Sequence, residues 1–324
     1  MFLNISFIIA GIVLVLWGAD RLTEGAVTVA ERLKVPQIVI GLTIVAIGTS
    51  MPEFCVSLVS AVKGTSDLAV GNIVGSNIFN TLVIVGAAAM VAPITILHTA
   101  VRKDIPFAMM ASALLMMLCY DGNLSRVDAA VLLVMFAAFM YITLTGAKQE
   151  APTTVGAVQT ETTQAAIEKP KSKLHALFHP QSPLILIPLG LVCLIVGSNI
   201  FVEGATYVAG SFGVSEAVIG LTIVAMGTSL PELATSVVAA HKGNSGIAIG
   251  NVLGSNVFNI LLVLGATGAI CPMQMEGIWM TDFSVMVLSM ILLWLFSFTK
   301  YTIQRWEGTA LLVVFVGYYI IRLA

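Results

Sequence analysis

The sequence predicts an all-α polytopic membrane protein, with ten transmembrane helices arranged as two inverted five-helix repeats. Three observations predict it: an apolar composition, ten apolar stretches of bilayer length, and a 40-residue block that occurs twice. Of the 324 residues, 58% are apolar and only 10% are charged, with a mean hydropathy of +1.00. A soluble domain carries roughly 25% charged residues to face water, so lipid is the expected solvent. The net charge of -2 gives no basic excess for nucleic acid.

A crossing helix needs about 20 apolar residues. Candidate spans lie at 4–30, 36–62, 68–92, 104–120, 126–146, 181–209, 214–240, 247–270, 279–299 and 305–323. They are continuous runs without period-2 alternation, which argues against a closed barrel. The amino-terminal stretch lacks a basic n-region and a small-residue cleavage site, so it reads as a retained first span. With that terminus outside, the inner loops hold Arg32, Lys34, Arg102, Lys103, Lys148, Lys169, Lys171, Lys173, Lys242, Lys300 and Arg305. The outer segments hold only Lys63, Arg126 and Arg322. The positive-inside rule then places both termini outside. Residues 147–180 are rich in Thr, Ala, Gln and Lys and read as an inner-face linker. The expected organisation is a first repeat at 1–146, this linker, and a second repeat at 181–324.

Residues 41–80 and 220–259 match at a constant offset of 179, with about 25 of 40 positions identical. Residue 41 lies in span 2 and residue 220 in span 7. Five crossings separate them, and an odd number reverses the second copy. This is the inverted-repeat plan of secondary transporters, which brings equivalent residues together at the midplane. Gly18, Glu24, Gly25 and Ala26 also align with Gly197, Glu203, Gly204 and Ala205. A helix-end position is expected for the two glutamates.

Four features recur in each copy. The first is a break in an apolar run, Gly48-Thr49-Ser50-Met51-Pro52 and Gly227-Thr228-Ser229-Leu230-Pro231. Proline removes a donor and clashes with the carbonyl at i−4, so Pro52 should free the Gly48 carbonyl and Pro231 that of Gly227. Unwound backbone at membrane depth needs a protein or aqueous partner. The second is a carboxylate after each break, Glu53 and Glu232. A charge at the bilayer centre costs at least ~2.5–3.5 kcal/mol. Two facing acids with nearby carbonyls resemble the six to eight hard oxygen ligands of Ca2+, and protons should compete for them. The third is G-N-x-x-G-S-N-x-F-N, at Gly71 to Asn80 and Gly250 to Asn259. Ser76 and Asn80 share one helical face, as do Ser255 and Asn259, and supply neutral oxygens. Gly71 and Gly75 have the spacing of close helix contacts. Asn72 and Asn251 fit either support of the ligands or a helix start. The fourth is Ser57 and Ser236, expected to pack or to bond the preceding turn. Cys55, Cys119, Cys193 and Cys271 are far apart in sequence and read as small core residues.

The pairs GTSMPE with GSNIFN and GTSLPE with GSNVFN resemble the α-1 and α-2 repeats of the cation/calcium antiporter superfamily, bacterial sodium/calcium exchanger branch. The resemblance implies the sodium/calcium exchanger fold and a bacterial inner-membrane location. It also implies Ca2+ and Na+ as transported ions, with no prosthetic group and no need for an oligomer. In its terms Glu53 and Glu232 match the acids that hold Ca2+ and share in Na+ binding, and Thr49 and Thr228 match carbonyl donors to Ca2+. Ser50, Ser229, Ser76, Ser255, Ala46 and Ala225 match positions around flanking Na+ sites, and Asn80 and Asn259 match the central pair. The implied mechanism is alternating access, with Na+ and Ca2+ competing for overlapping sites while spans 1 and 6 slide. Several relatives carry Asp where this chain has Asn259, a residue tied to K+ use in potassium-dependent exchangers. Asn at both positions argues against a dedicated K+ requirement. The expected activity is Ca2+ exchange against Na+, with H+-coupled or K+-assisted divalent exchange as the alternative. A channel or an intramembrane enzyme fits the repeat and its paired acids less well.

Overall fold

The computed structural model describes residues 2–149, 183–212, 225–275, 277–278 and 280–323. From residue 150 onward the expected linker lies outside the described residues, as do residues 220–224, which open the second repeat block. The first half runs α1 (Phe2–Leu33), α2 (Gln37–Thr49), α3 (Met51–Val62), α4 (Ser66–Val91), α5 (Ile105–Leu118) and α6 (Arg126–Gln149). The second runs α7 (Pro183–Ser211), α8 (Ala225–Thr228), α9 (Leu230–His241), α10 (Ser245–Ile270), α11 (Met280–Ser297) and α12 (Arg305–Leu323).

Taking α2 with α3 and α8 with α9 as single units, the twelve helices among the described residues form ten units, the number the ten-span plan needs. Helices α1, α4, α6, α7, α10 and α11 are each long and apolar enough to cross alone, and α2 and α3 form a bent crossing with a 45° angle. Helix α5 gains length from a widened turn at Ala100–Asp104.

The offset of 179 persists well beyond the motif. Four two-residue strands flank the bundle: β1 (Ile94–Thr95), β2 (Asn123–Leu124), β3 (Met273–Gln274) and β4 (Thr302–Ile303). Strand β1 pairs antiparallel with β4 through Ile94↔Ile303, and β2 with β3 through Leu124↔Met273. Adding 179 turns β1 into β3 and β2 into β4. The two sheets are therefore one element repeated, each sheet taking a strand from both halves.

Helices α4 and α10 form the centre. Inside the protein lie 78% and 94% of their most apolar stretches, against 33% for α1 and α7 and 17% for α6. Helices α1 and α7 cross with their backbones in contact. A Cβ on Gly18 would meet the Gly190 carbonyl at 2.8 Å, and one on Gly190 would meet the Leu22 amide nitrogen at 2.7 Å. Gly11 stands 2.8 Å from the Gly197 carbonyl by the same construction. Small residues at this spacing let helices approach where lipid offers no hydrophobic drive.

Two expectations need correction. Glu24 is not at a helix end: α1 continues to Leu33, and Glu24 pairs with Arg21 one turn earlier at 3.1 Å. Arg21 also pairs with Asp20 at 3.2 Å, and Lys242 binds Asp20. Cys55 is exposed and Cys271 only half-buried, so the cysteines are not all core residues, although Cys119 and Cys193 are buried.

Candidate cation site

Proline sets the local geometry of the site. Pro52 and Pro231 occupy the first turns of α3 and α9, where a missing N–H costs nothing. Two residues before each proline the backbone leaves the helical region: Ser50 has φ -82° and ψ 4°, and Ser229 has φ -89° and ψ 7°. Each break thus turns a new helix amino terminus inward, with an acid in its first turn, Glu53 on α3 and Glu232 on α9. The freed carbonyl of Gly227 accepts a hydrogen bond from Ser198 on α7, as the proline rule requires. The position equivalent to Ser198 in the first half is Ala19, which has no hydroxyl.

Both acids are 0% exposed, and each is served by the opposite half. Ser229 donates to Glu53 Oε1 at 2.9 Å and lies 3.1 Å from the Ser76 hydroxyl. Ser50 donates to Glu232 Oε1 at 3.2 Å, joined by Ser255 at 3.4 Å. Thr228 and Thr49 lie beside Glu53 and Glu232 respectively. The Thr49 hydroxyl shares its one proton between the Val45 carbonyl and Asn251 Oδ1, both at 3.1 Å, and comes within 3.5 Å of Ser255. Ala46 is buried, and its carbonyl accepts from the Ser50 amide at 3.0 Å. Ala225 opens α8.

The acids are braced from behind. Asn72 donates to the Glu53 carbonyl at 3.4 Å and to Ser57 at 3.0 Å. Asn251 repeats this on the Glu232 carbonyl at 3.3 Å and Ser236 at 3.0 Å. Both asparagines lie inside their helices, so they support the acid-bearing turns and do not start a helix. Ser57 does not bond its own preceding turn. Its hydroxyl crosses to the Ala69 carbonyl at 3.1 Å. Gly250 and Gly254 press on α2, 2.6 Å from the Ile38 carbonyl and the Ala46 Cβ by the Cβ construction. The positions equivalent to Ile38 and Leu42 are 217 and 221, outside the described residues.

The helices widen at the central asparagines. The ladder expands to π turns at Asn80–Ile84 and Phe258–Leu264, a distortion frequent at functional sites. Asn80 Oδ1, both amide atoms of Asn259, Glu53 Oε2 and Glu232 Oε2 are all buried without a hydrogen-bond partner among the described residues. A buried unpaired polar atom costs about 1–3 kcal/mol. Four of the five are oxygens, two of them carboxylate, and with two formal negative charges they fit the hard-oxygen donor chemistry that Ca2+ takes. Among the described residues no group of three or more His, Cys, Asp or Glu could hold a metal. A cation here would rest on two acids plus neutral oxygens. Asn77, Thr81 and Asn256 belong to the same buried polar network, although the motif gave no separate reason to single them out.

Inverted halves, paired helix breaks and crossed serine–glutamate bonds define the class: an integral membrane transport protein of the inverted-repeat kind. The family model described as "Sodium/calcium exchanger protein" matches residues 3–145 and 182–324. The chain belongs to the sodium/calcium exchanger family. It is 35% identical to the inner membrane protein YrbG of Escherichia coli (strain K12), covering 100% of this chain and 97% of YrbG. It is 31% identical to the sodium/calcium exchanger MaX1 of Methanosarcina acetivorans, covering 98% of each. A structure of the sodium-calcium exchanger NCX_Mj superposes with a TM-score of 0.82 at 28% identity, covering 100% of this chain and 99% of that one. These likenesses agree with the ten-span plan of two inverted repeats.

Proposed function

We propose that this chain exchanges Ca2+ for Na+ by alternating access through a midplane site built from both halves. The observation that carries the reading is the crossed pair Glu53 and Glu232. Each is fully buried, each is hydrogen-bonded by a serine of the other half, and each keeps one carboxylate oxygen unpartnered among the described residues. In this reading Glu53 and Glu232 hold Ca2+ and share in Na+ binding, with Thr49 and Thr228 contributing carbonyls. Ser50, Ser229, Ser76, Ser255, Ala46 and Ala225 surround the Na+ positions, and Asn80 and Asn259 form the central pair. Two carboxylates balance one Ca2+ without help, and Asn259 adds no charge for a further cation. The names of MaX1 and NCX_Mj support Na+ as counter-ion.

The halves 1–146 and 181–324 are joined by a cytoplasmic linker at 147–180, with both termini periplasmic in a bacterial inner membrane. The excess of Lys and Arg on the inner loops supports that orientation. No second copy is needed to complete the site.

The purified chain in Na+-loaded liposomes should take up labelled Ca2+, and H+ and K+ gradients should be run in parallel. A pH gradient that drives uptake without Na+ would select H+-coupled exchange, which the two buried carboxylates could also support. Ca2+ flux without any counter-ion would select a channel. Glu53→Gln and Glu232→Gln should each abolish transport, and full activity in both variants would remove the site.

A further inference from the structure

Asn80 and Asn259 occupy one repeat position, yet their surroundings differ. Asn80 Nδ2 donates to Asn256 Oδ1 at 3.1 Å. Asn256 Nδ2 in turn donates to the Thr81 hydroxyl oxygen at 2.9 Å. The Thr81 hydroxyl donates to the Asn77 carbonyl at 2.9 Å, with the weak acceptor sulfur of Met290 at 3.3 Å. The chain of donors runs one way. It uses the nitrogen end of the Asn80 amide and leaves the oxygen end as its terminus, buried and without a partner among the described residues.

The second half has no such chain. The counterpart of Thr81 is Ile260, which has no hydroxyl. The counterpart of Asn256 is Asn77, whose Nδ2 turns to the sulfur of Met286 at 3.8 Å. Asn259 is as buried as Asn80, 0% exposed, and neither of its amide atoms is bonded among the described residues. The five polar side chains Asn77, Asn80, Thr81, Asn256 and Asn259 are all buried, so bulk water does not replace the missing bonds.

An amide presents opposite partial charges at its two ends, and only the oxygen end attracts a cation. A side chain that turns over offers its NH2 group for part of the time. Partners behind a ligand that fix its orientation are worth about 10–100-fold in metal affinity. We infer that Thr81 and Asn256 are positioning residues that lock the Asn80 oxygen toward the transported cation, while Asn259 remains able to turn over. One half thus supplies a fixed amide oxygen and the other an adjustable amide. The inference rests on the proposal that the cation sits between Glu53 and Glu232.

The test is Ca2+ titration of the purified full chain in detergent, with the ion-free melting midpoint recorded for every variant. Thr81→Val keeps the shape and removes the hydroxyl, and it should raise the Ca2+ Kd about 10-fold. Thr81→Ser keeps the hydroxyl and should hold the wild-type Kd. Thr81→Ala, which removes the hydroxyl together with the methyl, stands in if the valine variant does not fold. A lower midpoint with unchanged Kd in a variant lacking the hydroxyl would make Thr81 merely structural and overturn the inference, as would an equal loss in Thr81→Ser. Glu53→Gln is titrated alongside. If it binds Ca2+ normally, the cation site itself is wrong; if it loses Ca2+ while Thr81→Val keeps its Kd, only the positioning chain fails.

Discussion

Ser229 of the second half donates its hydroxyl to Glu53 Oε1 of the first at 2.9 Å. Among the described residues the converse bond, Ser50 to Glu232 Oε1, is longer at 3.2 Å and is backed by Ser255. The two acids therefore depend differently on their serines. A hydrogen bond to a charged group is worth about 1.5–3 kcal/mol, and 1.4 kcal/mol is tenfold in affinity. Ser229→Ala should weaken Ca2+ binding about tenfold or more. Ser50→Ala should cost less, because Ser255 still donates to Glu232. Ca2+ titration of the two variants checks the ranking, and a larger loss in Ser50→Ala would refute it.

Acidification should weaken Ca2+ binding. The pocket balances one divalent cation only while both carboxylates are ionised, and a proton on either removes half of its negative charge. Protons and Ca2+ therefore compete, and the apparent Kd rises as pH falls. Titrations over a pH series measure this.

The fold was legible because the repeat is nearly exact at its centre. Identity at an offset of 179, together with an odd number of crossings, was enough to predict the inversion. Pro52 and Pro231 announced the helix breaks, and Glu53 and Glu232 beside them announced the site. What stayed hidden lies where the halves differ in contact and not in motif. Asn77 and Asn256 are identical in sequence context, so symmetry assigns them one role. A single exchange, Thr81 for Ile260, splits that role. The four strands were invisible for another reason: two residues are too short for any period to show. Glu24 was misplaced because apolar runs end before helices do, and α1 carries its charged turn well inside the helix.

The backbone contact of α1 with α7 should resist any added carbon. A Cβ on Gly190 would stand 2.7 Å from the Leu22 nitrogen and 2.8 Å from the Gly18 carbonyl, and backbone cannot yield as a flexible side chain can. Overpacking of this kind costs typically about 1–3 kcal/mol. Gly190→Ala should lower the thermal midpoint in detergent. Gly317→Ala on α12, where a Cβ meets nothing within 4 Å, should leave it unchanged. Equal midpoints for the two variants would show that the helices can separate at no cost.

The last two spans are tied together by Asp282. This residue of α11 is 5% exposed, and its Oδ1 accepts from the Tyr318 hydroxyl at 2.8 Å and from Arg322 Nε at 3.1 Å. Both partners lie on α12, and Arg322 also reaches the Gly277 carbonyl at 3.2 Å. Removing a buried charge partner costs about 3–5 kcal/mol where both members are buried. The Arg322 side chain is 36% exposed, so water takes over part of its solvation and the loss should be nearer about 2 kcal/mol. Asp282→Ala should therefore lower the melting midpoint clearly. Asp282→Asn keeps an oxygen for Tyr318 and gives up only the charge, so it should fall between the alanine variant and the wild type. Thermal melts of the three proteins decide the matter. Equal losses in both variants would assign the whole effect to the ion pair and none to the tyrosine bond.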